Sequence, residues 1–220
     1  MKRIVLGIAA ALFAAVLAYA GITTYQKRDL RAQVAETVAA ASVQIDESLA
    51  VDINTPADGL VGRLDAGVER AALSLQQLRA LAARRDPPLV EAADSYVASV
   101  LEVLRRQAGA VRHRSRFVED RKALDEHMAQ VGARADGWFA EAIRLRKRLD
   151  QDYHDYQVTV TSLGNMLSGL VDARRKIAER LPAAPLPAEA AINQARERTR
   201  AAESATKQEL EQARRLVSPG

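Results

Sequence analysis

The sequence has no cysteine. That excludes disulfides, thiolate metal sites and cysteine nucleophiles together, and it leaves the redox compartment open. Aromatic residues make up only 4% of the chain, so its apolar content rests on Ala, Leu and Val. Glycine is scarce, at 11 in 220 residues. No run of alternating Val, Ile, Thr and Tyr is closed by an Asn-Gly or Asp-Gly turn, so no sheet is expected. An Ala-, Arg- and Glu-rich chain with these shortages favours helix throughout.

An excess of one charge is also missing. The formal net charge is +4, but Lys2 and Arg3 precede the first acid, Asp29. Setting those two aside leaves 30 basic against 28 acidic residues, a net of +2. A dedicated nucleic-acid binder concentrates positive charge on one face, so nucleic acid is not expected as a partner. Catalytic groupings are lacking as well. There is no nucleophile elbow, no dinucleotide fingerprint and no His-Glu-x-x-His. Gly164 to Gly169 lies inside a helical pattern rather than after a strand, so it is no phosphate loop. The residues three before His113, His127 and His154 are Ala110, Leu124 and Gln151, so the Glu-x-x-His pairs of a di-iron bundle are absent. Asp52, Asn54 and Asp58 hint at a calcium loop, but Ala57 and Arg63 stand where that loop needs Gly and Glu. A non-enzymatic protein without cofactor or metal is the expectation.

What is present is long helical periodicity. Small or apolar residues recur at steps of four and three from Leu124 through Met128, Val131, Ala135, Trp138, Ala142, Leu145 and Leu149. After a polar step at Asp152 they resume at Tyr156, Thr159, Leu163, Met166, Leu170, Ala173 and Ile177. Seven residues make nearly two turns, so such a stripe faces a partner helix continuously. The expected fold is all-α: an N-terminal membrane-spanning or signal helix, then an antiparallel bundle of long helices with coiled-coil-like packing.

In chain order, residues 1–25 form the anchor or signal. Ile4 to Tyr25 carries no charge, which is 22 residues and long enough to cross a bilayer. Ala18-Tyr19-Ala20 before Gly21 also fits a signal cleavage site, although the run is long for one. The positive leader puts the N-terminus inside and the bulk outside, weakened by Lys27, Arg28 and Arg31. This implies a bacterial-type inner membrane with the bulk periplasmic, or a soluble periplasmic protein after cleavage near Ala20. The lipid bilayer is thus the first expected partner, through residues 4–25.

Residues 26–181 form the bundle. Leu30, Val34, Val38, Ala41, Ile45 and Leu49 continue one helix out of the membrane. Thr55-Pro56-Ala57-Asp58 reads as the next helix start, with Thr as cap and Pro in the first turn. That helix carries Leu60, Leu64, Gly67, Ala71, Leu75, Leu78 and Ala82 and stops at Arg84-Arg85. Asp86-Pro87-Pro88 caps another, bearing Val90, Ala93, Val97, Val100, Leu104 and Val111. Its stripe fails between Arg112 and Lys122. The chain reverses either near 109–116 or at Gly132–Gly137, and the second is favoured because two glycines bracket a polar segment. Residues 182–187 are a Pro-rich linker. Residues 188–217 form a C-terminal amphipathic helix with Ile192, Ala195, Thr199, Ala202, Ala205 or Thr206, Leu210, Ala213 and Leu216 on one stripe.

Two groups are candidate contact sites. Trp138, Asp152, Tyr153 and Tyr156 could meet a ligand or partner, with Asp152 fixing register at a seam position unless the stripe drifts and Tyr153 takes that place. Arg105, Arg106, Arg112, Arg114 and Arg116 could form an anion-binding patch, against the plainer reading of solvated helix faces. The functional expectation is a membrane-anchored envelope protein that presents its bundle to a helical protein partner or to copies of itself. The alternative is a periplasmic, sensor-like bundle with a small-molecule site between helices.

Overall fold

The computed structural model describes residues 2–55, 59–81, 86–130 and 137–217, with side chains from Thr23 onward. Among these residues the chain forms five helices and no strand: α1 (Lys2–Leu49), α2 (Leu60–Ala80), α3 (Pro87–Ala129), α4 (Trp138–Arg180) and α5 (Glu189–Val217). Most of the segment read as anchor or signal falls on residues 1–22, whose side chains lie outside the described ones. Among the described residues no helix is long and apolar enough to cross a membrane.

Cross-helix pairs fix the topology. Arg70 reaches Gln44, Arg79 reaches Asp94 and Arg112 reaches Asp65, so α2 runs antiparallel to both α1 and α3. Gly109 meets Thr159 and Arg148 meets Asp120, so α4 runs antiparallel to α3. Arg175 meets Glu189 and Arg214 meets Asp150, so α5 runs back antiparallel along α4. Hence α1, α3 and α5 point one way, and α2 and α4 the other. Each of α3 and α4 has 43 residues, or about 65 Å of axis. Helix α2, with 21 residues, and the Leu30–Leu49 part of α1 pack on the half of them nearer the start of α3.

The core divides accordingly. A large cluster joins all five helices around residues such as Ile45, Leu78, Tyr96, Leu104, Leu163 and Ile192. A smaller distal one holds Phe117, Leu124, Leu145, Leu149, Tyr153, Leu210 and Val217 from α3, α4 and α5. The Ala-rich texture of α5 suits this arrangement, because Ala195, Ala202 and Ala213 are buried and let its axis approach α4 closely. A hydroxyl pair sits inside the larger cluster. Ser42 Oγ donates to the Val38 carbonyl at 2.9 Å and lies 2.8 Å from the Tyr96 hydroxyl. Ser42's proton is thus committed, so Tyr96 supplies the donor. Burial pushes the Tyr96 phenol up to about 12.

Several sequence expectations need correction. The favoured reversal at Gly132–Gly137 agrees with the helix bounds, since α3 ends at Ala129 and the antiparallel α4 starts at Trp138; the stripe from Leu124 to Ile177 is thereby divided between two helices rather than continuous on one. Gly137 precedes α4 with φ 95°, a left-handed conformation that suits glycine. Residues 131–136 lie outside the described ones, and so do Val131 and Ala135 of the proposed stripe. Helix α2 begins at Leu60, with Gly59 at φ 72° before it. Pro56–Asp58 and Ala82–Arg85 are also outside the described residues. In α4 the buried positions are Tyr153 and Leu167, not Asp152 and Met166. In α5 the last buried residue is Val217, while Leu216 is 48% exposed. These shifts share one cause. The buried face follows the 3.6-residue period of a straight helix and is broad, whereas a strict seven-residue seam drifts off it.

The stripe of α3 does not fail after Val111. It continues as Arg114, Phe117, Asp120 and Leu124, all buried. Two of those four are charged, and each has a partner on another helix. The Pro-rich connection is folded onto the bundle. Ala184 N–H donates to the Leu181 carbonyl at 3.0 Å, Leu186 packs on the larger core, and Arg174 Nε donates to the Pro187 carbonyl at 2.5 Å.

Candidate functional site

The residue types that carry chemistry meet most closely where α3 and α4 cross in the distal half. Helix α3 brings Arg116, Glu119 and Asp120; α4 brings Arg148, Gln151 and Asp152. Each trio is spaced i, i+3, i+4 and therefore shares one helix face. The two faces enclose a cleft of about 190 Å³. Asp120 is the inner carboxylate, its side chain 12% exposed, and accepts a hydrogen bond from Arg148 Nη2 at 2.6 Å.

Asp152 stands beside it, partly buried, and its carboxyl is pushed from 3.8 up to about 6. Burial is the largest cause, followed by the hydrogen bond to Asp120 and that residue's negative charge. Arg116 and Arg148 act in the opposite sense. Charge counting gives the same direction. With Asp152 protonated, two arginines balance Glu119 and Asp120; with it ionised, the cleft carries one uncompensated negative charge. Beside the Asp120 carboxylate and partly withdrawn from water, Asp152 can hold a proton in weakly acidic solution that an ordinary carboxyl would release.

Among the described residues, no set of three or more His, Asp or Glu is placed to hold a metal ion. Asp52 Oδ1 accepts the Asn54 backbone N–H at 2.9 Å, a local turn at residues 52–54; Asp58, the third residue of the supposed calcium loop, lies outside the described residues.

Of the residues singled out in the sequence, the cleft unites Asp152 and Arg116. The others are dispersed. Trp138 lies at the far end of the bundle, where its ring stacks on His127 at 5.1 Å and 18° between planes. His127 Nε2 lies 2.9 Å from the Trp138 carbonyl oxygen, so the two residues clasp the α3–α4 connection. Tyr153 packs edge-on against Phe117 in the distal core, with centroids 6.4 Å apart. Tyr156 is fully buried in the larger core, and its phenol is raised to about 12, chiefly by that burial.

The five arginines do not form one patch. Arg105 pairs with Glu102 at 2.7 Å, Arg112 pairs with Asp65, and Arg106 is exposed. Arg114 points the other way, into the bundle. It donates through Nη1 and Nη2 to Glu209 at 2.9 and 2.7 Å and through Nε to the Asn54 carbonyl at 3.0 Å, with its guanidinium 5.4 Å from the Phe117 ring centre. Arg121 Nη1 adds a bond to the Glu209 carbonyl at 2.5 Å, and Arg198 donates to the Leu49 carbonyl. These bonds hold α5 to α3 and to the end of α1.

Sequence reading missed Asp120 and Glu209, each of which looks like one more surface acid. The available signal was phase: Asp120 falls on the continued α3 stripe, three residues after Phe117. Compared with protein-family models, curated proteins and solved structures, the chain matches none.

Proposed function

We propose that this chain is a non-enzymatic, membrane-tethered protein whose helical bundle projects from the membrane to engage a helical protein partner or further copies of itself. The observation that carries the reading is the uncharged run Ile4–Tyr25 at the start of the same helix that enters the bundle. Among the described side chains of α1, which begin at Thr23, the first buried one is Leu30, and those at 27–29 are exposed. A tether and a bundle joined by one helix would hold the bundle clear of the lipid surface. The charged residues also support a structural role. The buried Arg114 and Asp120 and several half-exposed arginines take partners on neighbouring helices, as charges that fix helix packing do.

The test is fractionation of cells expressing the full chain, followed by an alkaline carbonate wash and crosslinking in intact membranes. Retention in the washed pellet at full length, with a discrete crosslinked species, is the expected result. Release by carbonate, or an N-terminus that starts at Gly21, would replace the tether with a cleaved signal. The alternative of a small-molecule site around Trp138, Tyr153 and Tyr156 has no support in their placement, because they sit in three different surroundings. Removing residues 188–220 to map the partner would be misleading, since α5 covers both cores.

A further inference from the structure

We infer that the cleft between α1, α2 and α3 binds a small carboxylate with a short apolar body. The cleft has a volume of about 330 Å³, at the lower end of small-molecule sites. Leu64 and Leu104 supply an apolar floor, and Gly67 lies between them. The rim is polar. Arg63 and Arg70 stand one above the other on α2, seven residues apart, and Gln44 and Glu47 face them from α1.

Two features set this cleft apart from a packing gap. The first is Gly67 in the middle of α2. A Cβ built there would lie 3.8 Å from Gln44 Oε1 and 3.8 Å from a Leu104 methyl, which is ordinary contact. Alanine would fit and would favour the helix by about 1 kcal/mol. Helix packing therefore does not account for glycine, whereas a ligand lying against the floor does.

The second is the supply of donors. Arg70 Nε donates to Gln44 Oε1 at 2.7 Å, which occupies the amide's acceptor. The Gln44 NH₂ and the Arg70 Nη groups keep no partner among the described residues. Arg63 takes no carboxylate there either. A guanidinium fork matches a carboxylate's two oxygens, and the amide can add a third donor. Glu47 on the same rim fixes the ligand charge. Two arginines and one glutamate leave a single net positive charge, which suits a monoanion better than a phosphate dianion. An apolar body on that monoanion would lie chiefly on Val51 and the methylene stems of Arg63 and Arg70, because Leu64 and Leu104 at the base are only 4% and 1% exposed.

The experiment is ligand-observed saturation-transfer NMR on the full chain in detergent micelles, with 3-phenylpropionate as the probe. 3-Phenylpropanol and 3-phenylpropylamine have nearly the same shape without the negative charge. A saturable signal from the carboxylate alone is expected. Gly67→Leu should abolish it by filling the floor. Arg63→Gln combined with Arg70→Gln should weaken binding at least about tenfold, as the loss of one charge-assisted hydrogen bond implies. Both arginines are exposed, so that variant keeps its circular dichroism and decides the matter even if Gly67→Leu fails to fold. Equal signals from the three probes, or an unchanged carboxylate signal in the double arginine variant, would overturn the assignment. Neither outcome bears on the membrane tether.

Discussion

The attachment of α5 can be tested at a single side chain. Glu209→Ala removes the bidentate partner of Arg114, whose side chain is only 6% exposed. Breaking a buried ion pair from one side costs about 3–5 kcal/mol, because the remaining charge is left without compensation. Two features reduce that figure here. Glu209 itself is 35% exposed, so water can reach the guanidinium once the carboxylate is gone. Arg114 also keeps its bond to the Asn54 carbonyl and its place near the Phe117 ring. The expected loss is about 2–3 kcal/mol, which moves a urea midpoint by roughly 1 M. Circular dichroism at 222 nm on the full chain measures it. A second variant separates charge burial from lost contacts. Adding Arg114→Met removes the stranded charge, at the expense of an unsatisfied Asn54 carbonyl worth about 1 kcal/mol. The double variant should therefore be more stable than Glu209→Ala alone. A loss below about 1 kcal/mol in Glu209→Ala, or a double variant less stable than the single, would refute this account of how α5 is held.

Further outcomes follow from the core and the carboxyl pair. Because the Asp152 carboxyl is raised above its ordinary 3.8 to about 6, the folded state binds more protons between those values. That contribution to stability is whole below pH 4 and is lost as pH rises through 6. Asp152→Asn, which mimics the protonated form, should gain about 1 kcal/mol at pH 7 after allowance for solvent screening, and nothing near pH 3.5. Urea titrations at the two pH values check it, and an equal effect at both would contradict it. Gly67→Ala should raise stability by about 0.5–1 kcal/mol, since its Cβ meets only ordinary contacts. Gly109→Ala should show no such gain, because its Cβ would lie 3.3 Å from Thr159 Cγ2 where α3 and α4 approach closely; thermal melts of the two variants make the comparison. Tyr96→Phe should cost about 1 kcal/mol through the lost Ser42 hydrogen bond, measured by the same melts.

What was legible beforehand depended on whether burial was apolar. Leu30 to Leu49, Leu60 to Leu78 and Val90 to Leu104 are plain in the sequence because their buried faces are hydrocarbon at helical spacing. The distal half of α3 was not, because Arg114 and Asp120 occupy the buried face and break the stripe to the eye. Their partners explain why no local pattern could reveal them: Glu209 lies 95 residues from Arg114, and Arg148 lies 28 from Asp120. A charged residue reads as surface until the opposing charge is known. The same reasoning applies to the contact sites. Asp152 was noticed as a polar step in an apolar run, yet it lies beside the buried position, which Tyr153 fills. Its chemistry comes from Asp120 on another helix. The α1–α2–α3 cleft was less legible still, since Gln44, Arg63 and Leu104 come from three helices and none departs from its own helix's pattern. Only Gly67 carried a local signal. A glycine in the interior of a helix, at a position where alanine fits, is a departure from propensity that the backbone itself does not require.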